Sequence, residues 1–223
     1  MFCDPSPDQA ERIINPGFEI YFGNAFLTKN HLNKVFPGFR NLHQVHGADV
    51  VCASSKLVKA DGQYSQRHKE PLLIKTADCM PVILTGTQGI IALHIGWRGL
   101  SKRILSRAIE TSPFQGPWTL WLGPHLRQNN FELDRYCCDI LLKGHTLSFH
   151  QAMDLGFVKK SYYQNNHFLF SMKNLLLREA TQLGVRVFND SGVNTYTSPR
   201  HYSYRRNRFT LGRNYTVALF KEH

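Results

Sequence analysis

Three residues carry the chemistry that this sequence offers most plainly: His46 in Gln44-Val45-His46-Gly47, Cys79 in Lys75-Thr76-Ala77-Asp78-Cys79-Met80-Pro81, and His94 in His94-Ile95-Gly96-Trp97-Arg98-Gly99. A thiolate and two imidazoles form a donor set that zinc or copper accepts, and three protein donors leave the fourth tetrahedral position for water or a substrate. Such a set is catalytic rather than structural. The intervals of 33 and 15 residues are too long for a zinc-finger loop, so the donors meet only if the fold brings separate elements together. Taken singly, each residue also has a plainer role, since a strand histidine is commonly a hydrogen-bonded core residue and a cysteine a small buried hydrophobe.

Charged neighbours add a second theme. Arg98 shares the His94 stretch, and Arg205 and Arg213 belong to a basic cluster running from Arg200 to Arg213, interleaved with Tyr202, Tyr204 and Phe209. Arginine forks match phosphate oxygens and aromatic faces match bases, so Arg98, Arg205 and Arg213 are the phosphate candidates, with Arg206 behind them. Ion pairing is an equal claim on any one of them. Asp78 adjoins Cys79, but adjacent strand side chains point to opposite faces. It is therefore expected to orient a ligand histidine from behind, or to carry a proton. Asp61, in Ala60-Asp61-Gly62, reads as a turn residue. Trp97 and Phe209 can stack on a purine or fill a core.

These residues need rigid elements to carry them. Leu72–Ile74, Pro81–Leu84 and Gly89–Ile95 read as strands around the Asp78-Cys79 bend. Ile104, Leu105, Ala108 and Ile109 give Ser101–Thr111 one helical face, which places Trp97-Arg98-Gly99 at a strand-to-helix junction. Trp118–Leu122 alternates as a strand and stops at Gly123-Pro124; Met172–Leu183 has helical spacing and ends at Gly184; Val185–Phe188 and Tyr215–Phe220 read as further strands. The class is mixed α/β, without a glycine-rich dinucleotide loop or a P-loop.

Composition bounds the reading. With 42% hydrophobic and 12% aromatic residues, 223 residues can bury one sizeable core, and no linker or repeat divides them, so a single domain over 1–223 is expected. The apolar runs are strand-sized, so no membrane-spanning helix is expected, and Met1–Pro5, without a basic region followed by an apolar stretch, argues against a signal peptide. An odd five cysteines without repeating spacing argue against a disulfide framework, so a reducing, cytoplasmic setting is expected. The net charge of +11 invites a nucleic-acid reading, but no nucleic-acid module pattern accompanies it, and nucleic acid is not the expected partner.

Six motifs occur here in one order: Gln44-Val45-His46-Gly47-Ala48-Asp49-Val50, Ala60-Asp61-Gly62, the Lys75–Leu84 stretch, Ala92–Leu100, Leu122-Gly123-Pro124-His125-Leu126, and Tyr202-Ser203-Tyr204-Arg205-Arg206 followed by Leu211-Gly212-Arg213. Together they resemble the YfiH-like family, long labelled multicopper polyphenol oxidase or laccase-domain proteins and described as purine nucleoside phosphorylases. The likeness runs roughly from Gly17 to Leu219. It implies a layered α/β/β/α sandwich, His46, Cys79 and His94 as metal ligands, zinc or alternatively copper as the ion, and purine nucleosides and phosphate as small-molecule partners.

The resemblance therefore implies a zinc-dependent purine nucleoside phosphorylase acting on adenosine, inosine or methylthioadenosine, with adenosine deaminase activity. Arg98, Asp78 and Arg205 are then the catalytic candidates, and Arg98, Arg205 and Arg213 the phosphate-binding ones. An open Cys/His₂ site suits deamination, whereas phosphorolysis asks mainly for positioning and charge stabilisation. Two other readings stay open. One is a hydrolase or amidase acting on peptidoglycan precursors, with Cys79 as nucleophile and His94 as base. The other is a copper-dependent phenol oxidase, which normally needs more histidine ligands than this trio. The chain departs from the family pattern at His125, at Tyr196-Thr197, at Tyr202, across Asn207–Arg213 and at Ile20–Asn24. His125 is a candidate extra ligand or base, with a hydrogen-bonded structural role the commoner one for such a residue.

Overall fold

Alternation along the strand Leu72–Thr76 shows how the layers arise. Leu72 and Ile74 pack with Ile20, Phe22, Ala218 and Phe220, whereas Leu73 turns to the opposite face and meets Tyr21, Val217, Leu219 and the helix residues Leu32 and Val35. A strand buried on both sides reads as an unbroken apolar run. The computed structural model describes residues 5–221, so all but Pro5 of the Met1–Pro5 stretch that argues against a signal peptide, and the outermost ends of the expected domain, lie outside the described residues.

Two sheets result. The four-stranded one has the order Ala10–Asn15, Phe18–Gly23, Asn214–Phe220, Leu72–Thr76, antiparallel throughout. Strands from the two ends of the chain thus share one sheet. The six-stranded one has the order Arg186–Asp190, Thr119–Leu122, Met80–Thr85, Ile90–Ile95, Gly62–Ser65, Val50–Cys52, with parallel pairs only at its two edges. Ile83, Ile90, Ala92 and Trp121 face the smaller sheet. Val82, Leu84, Ile91, Leu93 and Ile95 face the other way, onto Leu100, Ile104, Leu105, Leu141, Leu175 and Leu176 of the helices. The order of layers is therefore helix Lys29–Val35, sheet, sheet, helices, the α/β/β/α sandwich that the resemblance implied. Each fully buried Leu, Ile or Phe contributes about 1.5–3 kcal/mol, so these three interlayer cores supply the bulk of the driving force.

The expected strands at Leu72, Pro81, Gly89, Trp118, Val185 and Tyr215 all form, with ends shifted by one to a few residues. The helix expected over Ser101–Thr111 is instead two, Trp97–Ser101 and Ile104–Thr111, divided at Arg103 with left-handed backbone (φ 57°, ψ 51°). A distant residue explains the break. Glu179, fully buried on the helix Met172–Gln182, accepts the Ser106 amide (3.1 Å) and the Ser106 hydroxyl (2.6 Å), capping the second helix from outside.

Candidate metal centre and its cleft

The neighbouring strands Met80–Thr85 and Ile90–Ile95 pair with Pro81 opposite His94 and Met80 opposite Ile95, so Cys79 and His94 come together at one end of the sheet. His46 arrives on a loop with left-handed backbone (φ 60°). The three donor atoms lie within 4.8 Å of one another, and the His46 and His94 rings meet edge to face. Among the described residues no second trio of this kind accompanies it.

One carboxylate builds the centre. Asp61, with no solvent exposure, accepts the amides of Val45 (3.2 Å), His46 (2.9 Å) and Gly47 (2.6 Å) and holds His94 Nδ1 at 2.7 Å. It fixes the loop that carries one histidine and the ring of the other, leaving His94 Nε2 for an ion. No turn forms at Asp61, which lies at a bend leading into the strand Gly62–Ser65, and its side chain takes the part that was expected of Asp78. Asp78 accepts the Thr195 hydroxyl (2.6 Å) on one oxygen and the Arg205 amide (2.7 Å) on the other, and so anchors the arginine segment rather than a histidine.

Glycine supplies the remaining room. A Cβ on Gly96 would stand 3.1 Å from both Cys79 Sγ and His46 Cδ2, and one on Gly99 would be 2.6 Å from the Gly47 carbonyl oxygen. The two glycines of the His94–Gly99 stretch let the helix start pack directly on the donor trio.

Electrostatics suit an ion. Burial works to raise the Cys79 thiol, but the His94 and His46 rings overcome it and bring it down to about 6. Burial likewise disfavours charge on His94, and the Cys79 thiolate and Asp61 outweigh it, raising the ring to about 9. Asp61 is lowered, against its burial, by His94 and by the Gly47 and His46 amides. Without an ion the pair is a thiolate and an imidazolium; a divalent ion would take the place of the His94 proton, and the resulting thiolate and two imidazole nitrogens match one with nitrogen and sulfur preference.

The trio lines a cleft of about 780 Å³. Two cations reach its helix side: Arg98, whose guanidinium covers the Trp97 ring at 4.5 Å, and Arg205, which lies against Phe131 and donates to the Glu132 carbonyl (3.3 Å). Arg213 lines the same cleft beside Lys75, a residue that the sequence reading left aside. Leu126, Phe131, Met172 and Tyr204 give it apolar wall.

Other candidates stand elsewhere. Arg206 is engaged by the carbonyls of Thr195, Tyr196, Ser198 and His201, stapling that loop. His125 is fully buried, bonded through Nδ1 to the Gly123 carbonyl (2.8 Å) and apart from the trio, the structural role rather than that of an added ligand. Burial and the Arg127 charge lower it to about 4. Phe209 is 92% exposed outside the cleft lining, whereas Trp97 is on it. Tyr196 packs against the helix-side core.

Fold and site define a class: a four-layer α/β/β/α sandwich holding a Cys/His₂ centre at the foot of a cationic cleft. The chain belongs to the family described as multi-copper polyphenol oxidoreductase laccase, which matches residues 28–221. Among curated relatives, purine nucleoside phosphorylase RC0672 of Rickettsia conorii is 28% identical over 189 residues, covering 80% of this chain and 74% of the relative. Purine nucleoside phosphorylase PA4543 of Pseudomonas aeruginosa is 30% identical, covering 76% and 69%. Purine nucleoside phosphorylase YfiH of Escherichia coli is 27% identical, covering 76% and 69%. The crystal structure of Neisseria meningitidis protein NMB0706 shares the fold with a TM-score of 0.81 at 19% identity, covering 96% of this chain and all of that one. YlmD from Geobacillus stearothermophilus does so at 0.79 and 18%, covering 99% of each. Among the described residues no helix is long and apolar enough to cross a membrane.

Proposed function

We propose that this protein is a purine nucleoside phosphorylase that uses one zinc ion held by His46, Cys79 and His94 and that also deaminates adenosine. The observation that carries the reading is the juxtaposition of that donor trio with Arg98 and Arg205, whose guanidinium groups have no carboxylate partner among the described residues, in one cleft large enough for a nucleoside. The names of the curated relatives support the substrate class.

In phosphorolysis a phosphate oxygen bonds to C1′ of the ribose as the C1′–N9 bond breaks, giving ribose 1-phosphate and a free purine that takes up a proton. Arg98 and Arg205 hold the phosphate and spread its charge; the Asp78 carboxylate sets the Arg205 backbone, and Phe131 braces the guanidinium. Leu126, Phe131 and Met172 keep water from the oxocarbenium-like ribose. In deamination, water adds at C6 of the purine and ammonia leaves. Zinc supplies Lewis-acid activation of water or a substrate oxygen when bound. Asp61 keeps the His94 ring turned toward the cleft for that purpose. With a single donor trio among the described residues, zinc is favoured over a multicopper centre.

Incubation of the zinc-loaded protein with adenosine, with and without phosphate, tests the reading. Adenine and ribose 1-phosphate are expected only with phosphate, and inosine in either case. Zinc-loaded protein that leaves adenosine and inosine untouched would refute it. Rapid alkylation of Cys79 in the zinc-loaded protein would favour the Cys/His hydrolase instead, since a thiolate bound to the ion is shielded.

A further inference from the structure

The cleft holds more positive charge than one phosphate requires. Four of its lining residues are permanent or near-permanent cations, Lys75, Arg98, Arg205 and Arg213, and its one carboxylate, Asp78, is engaged by Thr195 and the Arg205 amide. Elsewhere the chain neutralises buried and half-buried cations readily. Arg40 pairs with Glu70, Arg127 and Lys173 with Asp190, and Lys221 with Glu19. Among the described residues none of the four cleft cations has an acidic group within ion-pair distance.

The four fall into two pairs, carried by different layers. Arg98 and Arg205 belong to the helix side: Arg205 donates to the Glu132 carbonyl, and Arg98 is close enough for its charge to act on the Cys137 thiol. Lys75 and Arg213 belong to the four-stranded sheet. Lys75 lies on Leu72–Thr76, Asn214 pairs with Thr76 on the adjoining strand, and Arg213 therefore emerges next to Lys75. The donor trio, carried by the six-stranded sheet and its loops, stands between those layers.

Lys75 is held where it is. Gln44 grips its backbone from both sides, donating to the Lys75 carbonyl (2.7 Å) and accepting from its amide (2.9 Å). Its ammonium is half-buried and, among the described residues, donates to the Leu42 carbonyl alone, at 3.2 Å. Burial, Arg213 and Lys29 all press its pKa downward, which is the mark of a cation lacking a counter-charge. Arg213 is likewise turned to carbonyls of its own loop, Gly212 (2.7 Å) and Thr210 (3.4 Å), and not to an acid. Lys75, half-buried and set beside the exposed Arg213, meets like charge with no acid to offset it among the described residues, and an incoming dianion relieves that repulsion.

We propose that Lys75 and Arg213 form a second anion subsite, so that besides purine nucleosides the cleft takes, and prefers, their 5′-phosphates, bound with inorganic phosphate on the opposite bank at Arg98 and Arg205. The inference rests on the phosphorylase reading and extends its substrate class from nucleosides to nucleoside 5′-phosphates. The chemistry is unchanged: the phosphate oxygen bonds to C1′, the C1′–N9 bond breaks, the purine keeps the bonding electrons and takes a proton, and the product is ribose 1,5-bisphosphate. The 5′-phosphate remains intact throughout. In a β-nucleoside the attacking phosphate meets C1′ on the ring face opposite the base, whereas the 5′-phosphate hangs from C4′ on the base's face, which is why two phosphates on one sugar call for two separated cationic banks.

The test compares adenosine with adenosine 5′-monophosphate in the zinc-loaded, full-length protein. Turnover is measured at saturating inorganic phosphate, and equilibrium binding by calorimetry. The 5′-monophosphate is expected to have the higher kcat/KM by about tenfold or more, as for gain of a charge-assisted contact, mainly through KM. Both Lys75→Gln and Arg213→Gln should reduce that preference by about tenfold, and Arg213, being exposed, provides a variant whose folding is not at risk. If adenosine is phosphorolysed while the 5′-monophosphate is rejected, or if neither substitution changes the ratio, the second subsite is wrong and the phosphorylase reading stands. If neither compound is turned over, the phosphorylase reading fails, and calorimetry still decides the subsite: 5′-monophosphate binding that exceeds adenosine binding and is lost in Lys75→Gln upholds it, and equal binding of the two overturns it.

Discussion

Asp61→Asn probes the centre most sharply, because it keeps the size and removes the charge. The carboxylate accepts four hydrogen bonds, two on each oxygen: His46 N and His94 Nδ1 on Oδ1, Val45 N and Gly47 N on Oδ2. An amide has one acceptor oxygen, so either orientation sets an NH₂ group against two donors and loses two bonds. Charge-assisted bonds contribute roughly 1.5–3 kcal/mol each, which gives a loss of about 3–5 kcal/mol after partial relaxation. Outer partners of metal ligands typically account for about 10–100-fold in affinity, and the upper end is expected because Asp61 positions both histidines. Urea unfolding reads the first quantity, and competition against a chromophoric zinc chelator reads the second. A variant that stays within about 1 kcal/mol of the parent and binds zinc within about threefold would refute the claim that this carboxylate builds the site.

Four further outcomes follow from the same geometry. Gly96→Ala, at a position whose backbone (φ −86°, ψ 173°) tolerates alanine, should leave the fold intact yet weaken zinc binding by about tenfold or more, because the new methyl presses on Cys79 Sγ and the His46 ring; chelator competition checks it. Asp78→Asn should raise KM for phosphate through the Arg205 segment while zinc affinity holds, seen by steady-state kinetics beside the same chelator titration. Glu179→Ala should cost about 2–4 kcal/mol in urea unfolding, since it strips the cap from Ile104–Thr111 and the buried partner from Ser106. Asp190, held by Arg127 and Lys173 well below the ordinary carboxylate range despite partial burial, stabilises the fold above its unfolded value of 3.8 and loses that contribution as pH falls toward its folded value. The stability gap between the parent and Asp190→Asn should therefore be full at pH 7 and shrink steadily below about pH 4, as thermal melts across that range will report.

The donor trio was legible because each donor sits in a short motif of distinctive residue types, and the ordered motifs around them carried the sandwich as well. What escaped the sequence reading depends on partners far along the chain. The break at Arg103 follows from Glu179, more than seventy residues away, and no local periodicity could report it. Asp61 was readable as a turn former, but its grip on His94 exists only because Gly62–Ser65 and Ile90–Ile95 pair side by side. Lys75 drew no reading from the sequence, and its place as a cleft cation without an acidic partner among the described residues appears only once Arg213 arrives beside it. The first hairpin, by contrast, could have been read: Ala10–Asn15 and Phe18–Gly23 are joined at Pro16-Gly17, an ordinary turn signal.

The most direct test of the account is X-ray absorption at the zinc edge, with metal stoichiometry, on the full-length protein and on Cys79→Ala. One zinc per chain is predicted, with one sulfur at about 2.3 Å and two imidazole nitrogens at about 2.0–2.1 Å, the sulfur shell vanishing in the variant. Protein that takes up no zinc, or zinc surrounded by oxygen and nitrogen alone, would contradict it.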